Sequence, residues 1–495
     1  MCFMSAIQTI LLTTTRYSDM MKKIYITYFL LCLAVVFSAC NDEEYSVSKS
    51  DLLVFSVDTI RMDTVFSNVP SSTKDFWIYN KTGKSIRLAS IKQDRGNQSG
   101  FRVNVDGIYL GPTAGYQTNE VEVKKGDSVR VFVELTAVAN GLNKPKEMED
   151  NLYFTLESGA VQKINLNAFA WDAEIKTNPK IHTDTSWSGG KPIVIYGSLT
   201  VDSLATLTLE AGTTIYFRDE AKVEVYGRLR SLGEKGNEVT LRGYRLDNMF
   251  DYLPYDRVSG QWGGIHFHES SYNNEIHYTD LHSAYTGIEI DSCDVSKPTL
   301  FITESTVHNC QGYGIEAHKS WVEISNCQIT NTLKDCFYTD GGKVKINNST
   351  IAQFYPYDSN RGAALHFTTE KGDLGILCRN TLITGYADDV VNGNQTDSLK
   401  TFDFIFENCI LRTPKVTTAD SLRFTNVLFE SHEDTITTGK KHFKNIDIKN
   451  LIYNFQLDSI SPAIDKGNPL TASPIDRNGV RRDDKPDIGA FERKN

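Results

Sequence analysis

The sequence has no basic stripe and no strongly basic segment, and its net charge is −10 at pH 7. It therefore carries no electrostatic footprint for nucleic acid. Its nine cysteines include no CxxC pair, so the usual zinc signature is missing. No apolar run reaches the about 20 residues that cross a bilayer as a helix. What is present suffices for a sizeable core: 495 residues, 40% of them hydrophobic, a length that accommodates about two to four domains.

The most informative short segment is at the N-terminus. Lys22 and Lys23 precede an apolar run from Ile24 to Phe37 that ends in Ser38-Ala39-Cys40. A basic region, a short apolar stretch and small residues at the cut describe a secretory signal. Residues before Met20 read as an over-extended start, because Met20 or Met21 gives an ordinary basic region. The ending Phe37-Ser38-Ala39-Cys40 resembles a bacterial lipobox, and Asn41-Asp42-Glu43-Glu44 resembles the acidic stretch of Bacteroidetes surface lipoproteins. That resemblance implies acylation at Cys40, a lipid anchor in the outer membrane and exposure at the cell surface. Residues 1–40 are then the leader and 41–50 a tether. Six cysteines remain, all between Cys293 and Cys409. An even number permits disulfides in an exported protein, but the spacing is not that of a stapled scaffold, and they read as core thiols.

Residues 51–170 have the pattern of a β-sandwich. Asp75-Phe76-Trp77-Ile78-Tyr79-Asn80 and Ser128-Val129-Arg130-Val131-Phe132-Val133-Glu134-Leu135 alternate apolar with polar residues, and turn signals recur about every 8–12 residues. The domain is immunoglobulin-like only loosely, since it lacks a Cys…Trp…Cys core. Residues 171–186 are polar and read as a linker.

From Trp187 the pattern changes to repeats. An apolar residue, two variable residues, a small polar residue, a variable residue and a second apolar residue recur as Ile276–Leu281, Ile302–Val307, Ile324–Ile329, Ile346–Ile351, Leu377–Leu382, Ile405–Ile410 and Leu422–Val427. The starts are 26, 22, 22, 31, 28 and 17 residues apart. A second motif follows as Gly287-Ile288-Glu289-Ile290 and Gly314-Ile315-Glu316-Ala317, with a looser copy at Ala364–Phe367. Strands this short cannot bury a face alone; stacked about 4.8 Å apart they can, as coils of a parallel β-helix over 187–460. The small polar positions Ser305, Cys327, Ser349, Asn380 and Asn408 are expected to form a ladder between coils. The fold class is all-β: a sandwich followed by a parallel β-helix.

The repeats resemble the right-handed β-helix repeat, or pectate-lyase-like, superfamily. Ser461-Pro462-Ala463-Ile464-Asp465-Lys466-Gly467, Pro474–Gly479 and Asp487-Ile488-Gly489-Ala490-Phe491-Glu492 are similar to the terminal segment of secreted bacterial β-helix proteins. Residues 461–495 are therefore expected to cap the last coil and protect its strand edges. The superfamily includes pectate lyases, polygalacturonases, alginate and chondroitin lyases, tailspikes and adhesins, so the resemblance does not choose an activity. Polygalacturonases pair Asp-Asp with Gly-His-Gly and Arg-Ile-Lys; Asp388-Asp389 is here without either partner motif. A lyase needs a proton acceptor and a group that neutralises a uronate, often calcium or arginine; no motif supports calcium, and no Arg/Lys constellation stands out along the chain.

Two sets of candidate residues remain. Aligning the coils puts His266, Glu289, Glu316, Phe337 and His366 in one outward column, with His268, Asp291, His318, Thr339 and Thr368 beside it. Glu289 and Glu316 would then sit at glycosidase-like spacing, with His266, His318 and His366 as bases or ligands. No metal is assigned. The plain alternative is a solvated face on which the glutamates are open to water. The second set is aromatic: Tyr252, Tyr255 and Trp262 in one insertion and Tyr355 and Tyr357 in another, placed to stack on sugar rings or to pack over the helix edge. The expected function is a surface lipoprotein whose β-helix binds a glycan or an envelope partner without catalysis. The alternatives are a polysaccharide lyase or hydrolase on the outer face, and a structural adhesin.

Overall fold

The computed structural model describes residues 44–494 apart from 120, 251, 419 and 432. Cys40, the leader and the start therefore lie outside the described residues. Among the described residues, regular structure is all strand apart from short 3-10 turns, and no helix is long and apolar enough to cross a membrane.

The N-terminal unit is a sandwich of a five-stranded and a six-stranded antiparallel sheet. Alternation explains it. In Ser128–Leu135 the residues Val129, Val131, Val133 and Leu135 point inward and are buried. Across the two sheets, the rings of Phe76 and Phe154 meet edge to face at 6.5 Å.

The second unit is a stack of parallel strands in sheets of 11 and 17. The longer sheet takes two strands from each coil. Gly264–Phe267 pairs with Ile288–Ile290, and Asn274–His277 with Leu300–Thr303. Farther on, the two merge into bent strands, Ile315–Ser325 and Phe337–Asn347. The third face runs through Thr306–Cys310, Gln328–Thr332 and Thr350–Gln353. Ile302, Ile324 and Ile346 stack in register and are buried, each contributing about 1.5–3 kcal/mol. Cys310, Cys327, Cys336, Cys378 and Cys409 are free and buried in the same core, with Cys293 half-buried. Burial pushes the thiols of Cys310, Cys327 and Cys336 up to about 12.

The solenoid starts earlier and its parallel stack ends sooner than the sequence pattern implies. The expected linker, 171–186, carries the strands Glu174–Thr177 and Lys180–Ile181, each paired parallel with the next coil. An end coil has little to bury, here Ile181, so its composition imitates a linker. Parallel pairing stops at Leu428–Phe429. Beyond it, Phe443–Asp447 and Ile452–Leu457 form an antiparallel hairpin. Phe443, Phe455 and Leu457 of the hairpin pack with Ala352, Phe354, Leu382 and Ile410 in a second apolar cluster outside the third face.

The repeat register also shifts by a residue or two after Ile346. Cys378, Phe406 and Phe424 stack beneath it, not Leu377, Ile405 and Leu422; both sets are apolar, so alternation cannot choose. The small-residue ladder is accordingly Ser305, Cys327, Ser349, Thr381 and Cys409. Ser349 Oγ, for instance, accepts from Cys327 N at 3.2 Å and donates to Asn347 O at 2.9 Å. Asn380 and Asn408 belong one position earlier, with Glu304, Asn326 and Asn348. All five have φ between 43° and 53°, a left-handed turn that asparagine tolerates better than most residues.

This second ladder corrects the expected cap. Residues 461–494 run along the side of the stack, bound to the turn asparagines, instead of closing its end. Asn468 N donates to Asn380 Oδ1 at 2.7 Å, Ser473 N to Asn348 Oδ1 at 2.8 Å, and Arg482 Nη2 to Asn326 Oδ1 at 3.2 Å. The segment is a strap across several coils.

Candidate functional site

Glu224, His266, Glu289, Glu316, Tyr338, His366 and Asn392 are paired directly from coil to coil. Their side chains leave one face as a column with a step of about 4.8 Å. Tyr338 replaces the expected Phe337, which points inward and is buried, and Asp340 replaces Thr339 beside His318. Glu289, Glu316, His266, His318 and His366 are half-buried and not fully exposed, because tall neighbours in the column shield one another. His318 Nε2 lies 3.3 Å from Glu316 Oε1.

At one end the column opens into a cleft of about 420 Å³ lined by Tyr313, Lys334, Asp335, Arg361, His366 and Asn392, among others. Neither Glu289 nor Glu316 lines it. Asp335 is held by its corner: Oδ1 accepts from Ala363 N at 2.6 Å, and Oδ2 lies 2.9 Å from His366 Nδ1. A carboxylate on Nδ1 fixes the tautomer that leaves Nε2 as a base. Tyr338 meets His366 edge to face at 5.1 Å and stacks on Tyr313 at 5.4 Å. Burial, reinforced by Glu316 and Asp335, pushes the Tyr313 hydroxyl up to about 12, so it is a donor and not a base. Lys334 stands 4.7 Å over the Tyr313 ring. The cations that the linear sequence scattered are thus gathered by folding.

Near the other end, Glu224, His266, His268 and Asp291 form a compact group. Glu224 Oε2 lies 3.3 Å from His266 Nδ1 and 2.9 Å from His268 Nε2. Asp291 lies behind both rings, 3.0 Å from His266 Nε2 and 3.3 Å from His268 Nδ1. Burial disfavours the Glu224 carboxylate, but Lys222 and His268 outweigh it and hold its pKa below the usual range. Alternation read from the sequence found His266, His268 and Asp291; Glu224 was missed, because its coil lacks the repeat motif.

The aromatic residues divide. Trp262 is buried, stacked on Phe217 at 4.1 Å with Nε1 donating to His282 O. Tyr355 is also buried and bonds Ser259 at 2.8 Å. Both are packing residues and not sugar platforms, because the insertions fold down onto the third face. Arg245 covers the ring of Tyr255 at 3.9 Å. Tyr357 is exposed but donates to Arg257 O, and Tyr252 is 70% exposed.

Beneath this insertion lies a second histidine group. His282 Nδ1 is 2.9 Å from Asp280 and its Nε2 3.0 Å from Asp256. His308 Nε2 is 3.1 Å from Asp280, and Arg242 pairs with Asp256. Burial alone would push the His282 imidazolium down; Asp280 and Asp256 overcome it and raise its pKa to about 9. This is an ion network that pins the insertion. A third constellation, Ser461–His442–Glu430, has 2.8 and 2.6 Å contacts. All three residues are buried, and Arg412 joins Glu430 to Asp388, so it is a clamp and not a nucleophilic triad. It also accounts for Asp388.

A chain with this stack and these outward columns is a parallel β-helix protein, and comparison agrees. A family model described as "Right handed beta helix region" matches residues 205–351 and 263–413. No curated protein matches the chain. Among solved structures, the ASH/PapD-like domain of human CEP192 is similar over 26% of this chain and 90% of that domain, with 9% identity and a TM-score of 0.19. That likeness is too slight to bear on function.

Proposed function

We propose that this chain is an exported outer-membrane lipoprotein, anchored through Cys40, whose β-helix binds a glycan along the outward column. The supporting observation is the cleft: Lys334 and Arg361 line it together with Tyr313, His366 and Asn392, and the Tyr338 ring backs it, stacked on Tyr313 and against His366. Ring faces complement sugar C–H groups, and the cations favour an acidic sugar. Binding of acidic and neutral polysaccharides to the mature chain, measured by calorimetry, tests it. Tyr338→Ala should weaken binding about 5-fold, the equivalent of about 1 kcal/mol for one ring, and Arg361→Ala should act on acidic glycans only. No preference for acidic glycans, or unchanged affinity in both variants, refutes the reading. Labelled palmitate should be incorporated in the wild type and not in Cys40→Ser.

One observation favours a second reading, an enzyme. The Asp335-oriented His366 stands beside Arg361 and Lys334, an arrangement suited to removing the C5 proton next to a uronate carboxylate, so that the C4–C5 double bond forms and the C4–O glycosidic bond breaks, with the Tyr313 hydroxyl as proton donor to the leaving oxygen. Formation of an unsaturated, ultraviolet-absorbing product that is lost in His366→Ala would decide for a lyase; binding without turnover decides for the first reading.

A further inference from the structure

We infer that Glu224, His266 and His268 form a site for one divalent transition-metal ion of the zinc class, with Asp291 as the residue that orients both imidazoles. Two strands and one extended corner bring the donors together. Glu224 and His266 are in register on adjacent coils, and His268, two residues on, faces the same way. Both histidines present a different nitrogen to the same oxygen: His266 Nδ1 at 3.3 Å and His268 Nε2 at 2.9 Å from Glu224 Oε2. Lys222 binds the other oxygen, Oε1, so Oε2 is the one turned inward. The rear nitrogens, His266 Nε2 and His268 Nδ1, both face Asp291, at 3.0 and 3.3 Å.

A neutral imidazole carries one N–H. With Asp291 accepting that N–H from each ring, the front nitrogens turn lone pairs toward Glu224 Oε2. Three lone pairs then converge on one point, an arrangement that a cation satisfies. A carboxylate behind a ligating histidine is the usual outer-shell partner of a metal site. Here one carboxylate serves two rings, and Tyr226 stacks on His268 at 3.9 Å with an interplanar angle of 1° to hold its plane. Two imidazoles and one carboxylate are the donors that zinc, cobalt, nickel or iron take, whereas calcium and magnesium require oxygen alone. Charge points the same way. Among the described residues, Lys222 is the one lysine or arginine that forms a salt bridge with Glu224, Glu289 or Asp291, which leaves two negative charges for a divalent ion. Side-chain exposure of 15% for Glu224 and 18% for each histidine leaves a path from solvent and open coordination positions on the outward column.

The group Asp280–His282–His308, of which only His282 is buried, uses the same residue types differently. Arg242 pairs with Asp256 there, and His282 bonds two carboxylates through its two nitrogens, so the imidazolium itself is the cation.

The site does not depend on the glycan reading, because its test reads the metal directly. Mature untagged protein, stripped with chelator, is titrated with Co²⁺ while the visible ligand-field absorbance is followed, and Zn²⁺ is then added as competitor. The expected result is saturation at one equivalent, displacement by Zn²⁺ and indifference to excess Ca²⁺. His268→Ala should abolish the spectrum, and the isosteric Glu224→Gln should weaken it without altering the circular dichroism. Asp291→Asn should cost about 10–100-fold in affinity while keeping the stoichiometry, and His308→Ala should change nothing. Absence of saturable binding overturns the inference. So does binding that persists in both His268→Ala and Glu224→Gln, or that is lost in His308→Ala.

Discussion

His282 offers the sharpest test of how the insertion is held. Its pKa of about 9 in the folded chain compares with about 6.5 in an unfolded one, and a difference of about 2.5 units is worth about 3 kcal/mol. A raised value means that the folded state binds the proton more tightly. The stabilisation is therefore complete below about pH 6.5 and is lost as pH rises through about 9. His282→Gln keeps much of the volume and one hydrogen bond but no charge, leaving Asp280 and Asp256 facing each other with Arg242 and His308. The carboxylates left behind are 48% and 37% exposed and are screened by solvent, so the cost is about the same 3 kcal/mol as the lost linkage; the variant should be that much less stable at pH 6 and should close most of the gap by pH 10. Denaturant titrations of both proteins at pH 6, 7.5, 9 and 10 measure the difference directly, and histidine-selective NMR over the ten imidazoles gives the titration midpoint. A constant gap across that range, or a midpoint near 6.5, would show that the two carboxylates do not hold the proton.

Ile324 stacks between Ile302 and Ile346. Ile324→Val should cost about 0.5–1.5 kcal/mol, and Ile324→Asp several, read as thermal midpoints; full retention in the Asp variant refutes the inward position. Asn380 combines a φ of 46° with bonds to Asn468 and Thr471 of the strap. Asn380→Ala should lose about 2–3 kcal/mol, and Asn380→Gly should recover only the roughly 1 kcal/mol owed to the left-handed backbone; full recovery in the glycine variant would remove the strap from the account. Burial pushes the Asp487 carboxyl up to about 6, against about 3.9 unfolded. The folded state therefore gains stability as pH falls from about 6 to 4, by about 2 kcal/mol after allowance for solvent screening. Asp487→Asn should flatten that slope in denaturant titrations at pH 4.5 and 7, and an unchanged slope argues against Asp487 as its source.

The stack was legible because its cause is local and repeated. Ile302, Ile324 and Ile346 recur at nearly constant spacing, and a period near 22 with short strands leaves few architectures. Register failed where the local signal was degenerate: Leu377-Cys378 and Ile405-Phe406 each offer two apolar residues, and only the coil above decides which turns inward. Phe337-Tyr338 is the same ambiguity between two aromatic rings, and it moved one residue of the outward column. The strap was invisible for another reason. Its bonds are to backbone-determined positions, the left-handed asparagines, which lie roughly 90 to 160 residues away in sequence.

The candidate sites divide along the same line. Alternation placed Glu289, Glu316, His266, His318 and His366 on one face, because a strand alone determines which way a side chain points. What each residue does depends on neighbours brought by other coils. His366 acquires its meaning from Asp335, which lies at a corner 31 residues earlier, and His266 from Glu224 on the preceding coil, across an insertion that breaks the repeat. The paired glutamates, adjacent in the stack and prominent in the sequence, lie outside the cleft, while His266 on one side of them is held by Glu224 and Asp291 and His366 on the other by Asp335. On a solenoid, chemistry falls where an irregular coil or corner meets the regular column, and those corners are the segments in which periodicity carries no information.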